Sequence, residues 1–236
     1  MSADKIPHGF EELGPEDLLG SLNEVEKKNA PRRLFVAGDR SLLWSGPRVS
    51  IVGSRKASAQ GLSHARSLAQ SLAAHGAVVV SGLAEGIDTA AHEGAIAAGG
   101  RTIAVLGTAL DESFPSKNRS LQERIMREHL AVSQFEPGVP SRPGNFPMRN
   151  RTMALLSDST IIVEAGEKSG SLHQGWEALR LGRPLFVMEA AVANPSLTWP
   201  SEFMRYGALT LSVDDLSLLL ELLPERSGAE TSIPSF

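Results

Sequence analysis

The chain has 236 residues, 42% of them apolar, and no cysteine, which allows a sizeable core but excludes disulfides, zinc–thiolate sites and cysteine nucleophiles. Its formal net charge of −4 argues against a generally basic nucleic-acid binder, although a local basic site remains compatible with it. No apolar run approaches the length of a membrane span, and residues 1–10 lack the basic start and apolar core of a signal peptide. Composition therefore predicts a cytoplasmic protein with no membrane partner.

Taken in chain order, the sequence predicts a polar lead-in, one core domain and a polar tail. The lead-in covers 1–30 and contains one short helix from Pro15 through Val25, and the tail covers 224–236 and predicts disorder. Between them, over 31–223, apolar runs alternate with helical spacing. The predicted strands are 34–37, 49–52, 77–80, 102–106, 130–133, 160–163, 184–188 and 208–211. The predicted helices are 61–75, 87–98, 121–127, 149–157, 172–181 and 214–223.

This alternation predicts an α/β fold. Strands that are continuous apolar runs, separated by helices of about ten residues, are typical of a parallel sheet covered on both faces. We therefore expect a Rossmann-like, doubly wound, mostly parallel sheet with helices on both faces. In such sheets ligands bind outside the carboxyl ends of the strands. The loops of interest then begin at Gly53, Ser81, Gly107, Ser133, Glu164 and Met188.

The loop after the strand 49–52 has the residues of an anion site. Gly53 allows close approach of the backbone, Ser54 offers a hydroxyl, and Arg55 can grip a phosphate with two parallel hydrogen bonds. The helix that follows presents its N-terminus, which favours anions. A plain strand-to-helix turn with an exposed arginine explains the same residues. The full Rossmann glycine fingerprint and the Gly-Lys-Ser/Thr of a P-loop are missing, so neither NAD nor ATP is indicated.

The next two loops are less decisive. Ser81 and Gly82 begin a loop that again exposes backbone N–H groups, and Asp88 near the helix start either caps that helix or contacts a ligand. His92 has no nearby serine or cysteine partner, and we interpret it as structural. No cluster of histidines and carboxylates has metal-ligand spacing. In the third loop Lys117 adds positive charge, while helix capping explains Asn118.

The fourth loop carries a basic run without an acid. Arg142, Arg149 and Arg151 surround one aromatic residue, Phe146. Cations for phosphates and an aromatic ring for base stacking are what a single-strand groove needs. The alternative is that Phe146 fills the core and the arginines are surface charges.

The fifth loop predicts a second anion nest at the start of a helix. Ser169, Gly170 and Ser171 supply hydroxyls and N–H groups there. Glu164 ends the preceding strand, where it either contacts a ligand hydroxyl or fixes a loop.

Together these stretches resemble the DNA-processing protein A family (DprA, also called Smf), over about three-quarters of the chain. Five motifs in order carry the resemblance: Ile51 to Ser58; Ser81 to Asp88 with His92; Asp111 with Phe114-Pro115 and Asn118; Phe146 to Arg151; and Val163 to Ala165 with Ser169 to Leu172. The late segment 188–206 departs from the family pattern.

The resemblance implies a non-catalytic single-stranded DNA-binding protein of natural transformation (competence) and recombination. It also implies a RecA recombinase as a partner, a homodimer, a cytoplasmic location and no cofactor. With the loop analysis it gives the candidate DNA and phosphate contacts Gly53, Ser54, Arg55, Lys56, Ser81, Gly82, Lys117, Arg142, Phe146, Arg149, Asn150, Arg151, Ser169, Gly170 and Ser171.

Two other functions are compatible with this fold. The region from Met148 to Ser171 also resembles the Lonely Guy phosphoribohydrolases, whose catalytic glutamate corresponds to Gln174 here. An amide cannot accept the proton as a carboxylate does, which argues against hydrolysis. The third possibility is a sensor that binds a small nucleotide signal in the same pocket.

Overall fold

A computed structural model of the chain describes residues 9–225. The lead-in residues 1–8 and the tail residues 226–236 lie outside the described residues. Within 9–225, nine strands form one sheet in the order β1-β2-β6-β5-β4-β3-β7-β8-β9. The strands are β1 (Glu11–Leu13), β2 (Leu34–Gly38), β3 (Arg48–Val52), β4 (Val78–Ser81), β5 (Arg101–Leu106), β6 (Leu130–Ser133), β7 (Ser159–Ile162), β8 (Leu185–Met188) and β9 (Leu209–Leu211).

The sheet is mostly parallel, as predicted. The seven strands from β6 to β9 in this sheet order pair in parallel, whereas the β1–β2 and β2–β6 pairings are antiparallel. The described helices are α1 (Pro15–Leu19), α2 (Glu24–Asn29), α3 (Ala59–Ala74), α4 (Ile87–Ala97), α5 (Arg119–Glu128), α6 (Asn145–Leu156), α7 (Ser171–Arg180), α8 (Glu189–Val192), α9 (Trp199–Arg205) and α10 (Ser217–Glu221).

Helices cover both faces of the sheet, which confirms the Rossmann-like, doubly wound class. On one face, Val52 and Val80 pack with residues of α6 and α9 such as Met153 and Phe203. On the other face, alternate strand residues pack with α3, α4 and α10, and with α5 near β6. Strands buried on both faces must be apolar throughout, so their sequences read as continuous apolar runs.

The N-terminal segment differs from the sequence prediction. The sequence predicts a lead-in over 1–30, but β1 pairs with β2 and Leu18 is fully buried in the core. The single helix predicted there is two helices, since Gly20 (φ +77°) ends α1 and the Asn23 side chain caps α2. A polar edge strand leaves no apolar run to recognise. The division into domains stays a prediction.

The segment before α6 also differs. The sequence predicts a helix from residue 149, whereas α6 begins at Asn145. Pro147 lies in the first turn, where a missing N–H group breaks no helical hydrogen bond, so it does not delay the helix. Two helices within 188–206, α8 and α9, are not predicted at all. No helix among residues 9–225 combines the length and the apolar composition that crossing a membrane requires.

Candidate functional site

A cleft of about 580 Å³ opens at the carboxyl ends of β3 and β7. The chain leaves these neighbouring strands toward opposite faces of the sheet, and the crevice at such a switch point is where doubly wound folds bind ligands. Ten of the predicted site residues line the cleft: Gly53, Ser54, Arg55, Lys56, Phe146, Arg149, Asn150, Ser169, Gly170 and Ser171.

The loop after β3 is fixed between two neighbouring loops. The Ser54 N–H group donates to the Glu164 carbonyl oxygen at 2.7 Å, and the Ile87 N–H group donates to the Ser54 carbonyl oxygen at 3.2 Å. A Cβ atom at Gly53 would lie 2.6 Å from Ile87 Cγ1 and 2.7 Å from the Glu164 carbonyl oxygen. Only glycine therefore fits at position 53, and the Ser54–Lys56 backbone is set before any ligand binds.

Of the two roles predicted for Glu164, contact with a ligand hydroxyl or fixing of a loop, the structure shows the second. Its carboxylate accepts hydrogen bonds from the Ser58 N–H group at 3.0 Å and from the Ser58 hydroxyl at 2.5 Å. The same hydroxyl accepts from the Gly61 N–H group and caps α3. Glu164 therefore joins the end of β7 to the start of α3.

Two oppositely charged side chains are buried beneath the cleft. Arg149 is only 6% exposed and Asp88 only 5%. Arg149 Nη1 donates to the carbonyl oxygens of Gly82 and, at 2.9 Å, Val105. Burial raises the pKa of Asp88, while the Arg149 charge acts in the opposite direction, and burial also lowers the pKa of Arg149. Through its two hydrogen bonds Arg149 fixes the ends of β4 and β5 relative to α6.

The polar residues of α6 face different surroundings, because successive residues of a helix point in different directions. Arg149 and Asn150 are buried, whereas Arg151 is exposed and pairs with Glu177 at 3.1 Å. Asn150 Nδ2 donates to the Gly170 carbonyl oxygen at 3.0 Å and so links α6 to the start of α7. Arg149 contacts protein carbonyl groups, a role that its position in a basic run does not predict.

Exposed cationic side chains lie at the cleft mouth, where they are available to an anion. Arg55, Lys56 and Lys168 are exposed, and none of them forms an ion pair with another residue of 9–225. The Arg55 guanidinium carbon lies 5.4 Å from the centre of the Phe146 ring, a cation–π contact. A Cβ atom at Gly107 would lie 2.5 Å from Phe146 Cδ1, so the glycine allows the ring its place. Phosphate-binding and stacking groups therefore lie side by side.

The start of α7 presents two serine hydroxyls to the cleft. The hydroxyls of Ser169 and Ser171 lie 2.7 Å apart at the cleft wall. In the next turn the Leu172 N–H group donates to the Ser169 carbonyl oxygen at 3.1 Å, and the His173 N–H group donates to the Gly170 carbonyl oxygen at 3.2 Å. The anion nest at Ser169, Gly170 and Ser171 stays a prediction, and the N–H groups of Leu172 and His173 are already used within the protein.

Five predicted site residues lie outside the cleft lining. Ser81 is buried and its hydroxyl donates to the Ile51 carbonyl oxygen at 2.7 Å. Gly82 lies against the Arg149 guanidinium, and any side chain there would displace it. The exposed cations Lys117, Arg142 and Arg151 lie on the surrounding surface, where Lys117 pairs with Glu85 at 2.7 Å.

The structure also brings in residues that the sequence did not single out. Lys168 and His173 line the cleft next to the predicted serines. A lysine inside a glycine-rich loop before a helix was the available signal for Lys168. Asn118 does not cap α5; its side chain donates to the Leu83 carbonyl oxygen and the Thr89 hydroxyl, both at 2.9 Å.

His92 is structural, as the sequence predicts. It is fully buried, and its Nδ1 lies 2.7 Å from the Thr102 hydroxyl. Burial, with smaller contributions from His129 and Arg149, lowers the pKa of His92 to about 3. The folded protein thus keeps this imidazole neutral, while the unfolded chain protonates it below its ordinary pKa of about 6.5.

Acid should therefore destabilise the protein through His92. Between about pH 6.5 and about pH 5 the loss through this one group is about 2 kcal/mol, since each pKa unit corresponds to about 1.4 kcal/mol. The measurement is urea unfolding of the wild type and His92→Gln at about pH 7.5 and about pH 5. Asp88, whose pKa is raised, acts in the opposite sense but is present in both proteins. An equal acid loss in both would contradict the prediction.

Comparison with known proteins gives consistent matches. The family model described as DNA recombination-mediator protein A matches residues 15–221. The chain is 36% identical over 198 residues to the DNA processing protein DprA of Bacillus subtilis, covering 84% of this chain and 66% of that protein. It thus spans less than two thirds of this relative, and 58% of a Streptococcus pneumoniae relative.

Two solved structures are similar over 92% of this chain. DNA processing protein A from Streptococcus pneumoniae has a TM-score of 0.78, with 34% identity and 75% of that chain covered. DNA processing protein A from Helicobacter pylori, whose structure concerns its single-stranded DNA binding mode, has a TM-score of 0.77, with 28% identity and 96% covered.

Proposed function

Because this chain belongs to the DNA recombination-mediator protein A family, we propose that it binds single-stranded DNA in the cleft without catalysing a reaction on it. The relatives are described as DNA processing proteins, and one similar structure concerns single-stranded DNA binding. The role proposed for this chain is accordingly to hold single strands during transformation and recombination.

One observation carries the proposal, namely the contact between Arg55 and Phe146 at the cleft mouth. An unpaired guanidinium can bind a phosphate with two hydrogen bonds, and an aromatic ring beside it can stack on a base. Lys56 and Lys168 add positive charge around the same opening. Phosphates and exposed bases occur together in single-stranded nucleic acid, which this pairing of groups fits.

The chemistry of the cleft supports binding rather than hydrolysis. Asp88 is the one carboxylate among the described lining residues; it is only 5% exposed and accepts a hydrogen bond from the Ala84 N–H group at 3.3 Å. Gln174, at the position of the phosphoribohydrolase glutamate, is fully buried, and its amide fits a contact with the Asn150 carbonyl oxygen and the Ala154 N–H group. The glutamate that performs acid–base work in the phosphoribohydrolases is therefore replaced here by a buried amide, which cannot accept the proton in its place.

A small nucleotide is the second candidate ligand. A volume of about 580 Å³ lies within the range of small-molecule pockets. We therefore include a mononucleotide and a cyclic nucleotide in the test. The same proposal includes contact with a RecA recombinase, a homodimer and a cytoplasmic location. Co-purification with RecA tests the first of these, and size-exclusion chromatography tests the second.

The deciding experiment is titration of the protein into a fluorescent single-stranded oligonucleotide at two salt concentrations. We expect binding that weakens as salt rises, with a log–log slope of about −0.7 for each phosphate contacted. Duplex of the same sequence should bind more weakly, because its bases are not free to stack. No binding at micromolar protein, together with a raised melting temperature in the presence of a mononucleotide, would replace this function with nucleotide sensing.

A further inference from the structure

Phe114 is a large apolar side chain that stays 49% exposed beside the cleft. Its ring centre lies 5.4 Å from that of Phe146, with the ring planes at 49°. Phe146 in turn contacts Arg55. Aromatic surface therefore continues from the cleft mouth onto the loop between β5 and α5, beyond the residues that line the cleft.

Hydrogen bonds fix the part of the loop that directly precedes Phe114. Gln122 Nε2 donates to the Leu110 carbonyl oxygen at 3.0 Å and the Glu112 carbonyl oxygen at 3.2 Å. The Thr108 hydroxyl donates to the Glu112 carbonyl oxygen at 3.1 Å. A ring that a fixed backbone holds in solvent loses little freedom when a base covers it.

An unpaired cation lies next to the same loop. The Glu112 carboxylate accepts from the Ser141 N–H group at 3.0 Å and from the Ser141 hydroxyl at 2.7 Å. Arg142 follows directly, is exposed, and forms no ion pair with any residue from 9 to 225. An aromatic face and a guanidinium thus occur together a second time, outside the cleft.

We propose that Phe114 and Arg142 form a second nucleotide subsite for the strand that the cleft binds. Phe114 stacks on a base, and Arg142 contacts a phosphate of the same stretch. The inference rests on the proposed function. It adds the path of the DNA strand, which runs from Arg55 past Phe146 toward the β5–α5 loop. Stacking on an open base face requires a single strand and tolerates any base.

The test compares Phe114→Ala with the wild type on two oligonucleotides of equal length. One carries thymines, and the other has the same backbone with abasic residues. Because stacking on one base is lost, we expect Phe114→Ala to bind the thymine strand about tenfold more weakly. Affinity for the abasic strand should not change, and Phe114→Trp should retain wild-type affinity for both.

Arg142→Ala supplies the phosphate half of the test. It should weaken both strands and reduce the magnitude of the salt slope by about 0.7. Trp44→Ala is the matched control. Trp44 is an aromatic side chain that is 41% exposed, and it precedes β3, so it lies at the amino end of this strand, whereas the cleft lies at its carboxyl end. This control should bind like the wild type, and melting temperatures should show that all variants fold.

The outcomes separate the subsite from the proposed function. Unchanged thymine-strand affinity in Phe114→Ala, while Arg55→Ala weakens binding, would overturn the subsite and leave the cleft as the DNA site. Equal weakening on the thymine and abasic strands would overturn stacking and assign Phe114 to loop structure. No binding of any strand by the wild type would overturn the proposed function itself.

Discussion

Replacing Arg55 with alanine is expected to weaken single-stranded DNA binding about a hundredfold, since the hydrogen bonds of a guanidinium to a phosphate contribute about 1.5–3 kcal/mol. Arg55 is exposed, has no ion-pair partner within the described chain, and extends from a loop fixed by Ser54. Fluorescence anisotropy with a labelled oligonucleotide measures the change. The salt slope should fall in magnitude by about 0.7 at the same time.

Arg101→Ala is the matched control for this change. Arg101 is exposed and is the first residue of β5, so it lies at the amino ends of the strands, whereas the cleft lies at their carboxyl ends. Its removal changes the net charge by the same amount as the removal of Arg55. We expect it to leave the affinity within about twofold, because charges beyond a Debye length of about 8 Å are screened. Arg55→Lys should give an intermediate affinity, since it keeps the charge and loses the two-pronged contact. Equal losses in Arg55→Ala and Arg101→Ala would show that only overall charge matters.

Replacing Arg149 with methionine is expected to lower the free energy of unfolding by about 3–5 kcal/mol, because its charged guanidinium donates two hydrogen bonds, to the Gly82 and Val105 carbonyl oxygens, and each such bond contributes about 1.5–3 kcal/mol. The change also removes the positive charge that favours the ionised form of the buried Asp88 carboxyl. Urea unfolding followed by circular dichroism measures it. The loss should exceed that of any replacement among the exposed cleft cations.

Two comparisons make this prediction specific. Arg151→Met, two residues along α6, removes an exposed pair with Glu177 and should cost less than about 1 kcal/mol. Adding Asp88→Asn to Arg149→Met should recover part of the lost stability, since no carboxyl is then buried without a nearby positive charge. If the two arginine variants lose the same stability, Arg149 is not a main support of the cleft.

The parallel part of the fold is readable from the sequence because burial on both faces imposes a pattern. The apolar run at 49–52, for example, becomes β3, and Gly76 and Gly182 follow their helices with positive φ. The edge is not readable in this way. The strand Glu11–Leu13 is polar, and an apolar run such as Leu34–Gly38 carries no information on whether it runs parallel or antiparallel to its neighbour.

The candidate site is readable at the level of loops but not of side-chain direction. A parallel sheet brings the loops after its strands to one edge, so Gly53 to Lys56 and Ser169 to Ser171 meet as predicted. Arg149 and Arg151 look alike in the sequence, yet one is buried and the other exposed. Residues two positions apart on a helix point in nearly opposite directions, so one of the two arginines is buried when the other is exposed, but the sequence does not show which face of α6 packs against the sheet.

The small number of exposed cations at the cleft mouth bears on how fast a polyanion reaches the cleft. Arg55, Lys56 and Lys168 are the exposed cations among the described lining residues, on a protein whose net charge is −4. At long range this net charge repels a DNA strand, and attraction begins only within a Debye length, about 8 Å at physiological ionic strength. We therefore expect weak electrostatic steering, with an association rate constant nearer the unsteered range of about 10⁵–10⁷ M⁻¹s⁻¹ than the diffusion limit.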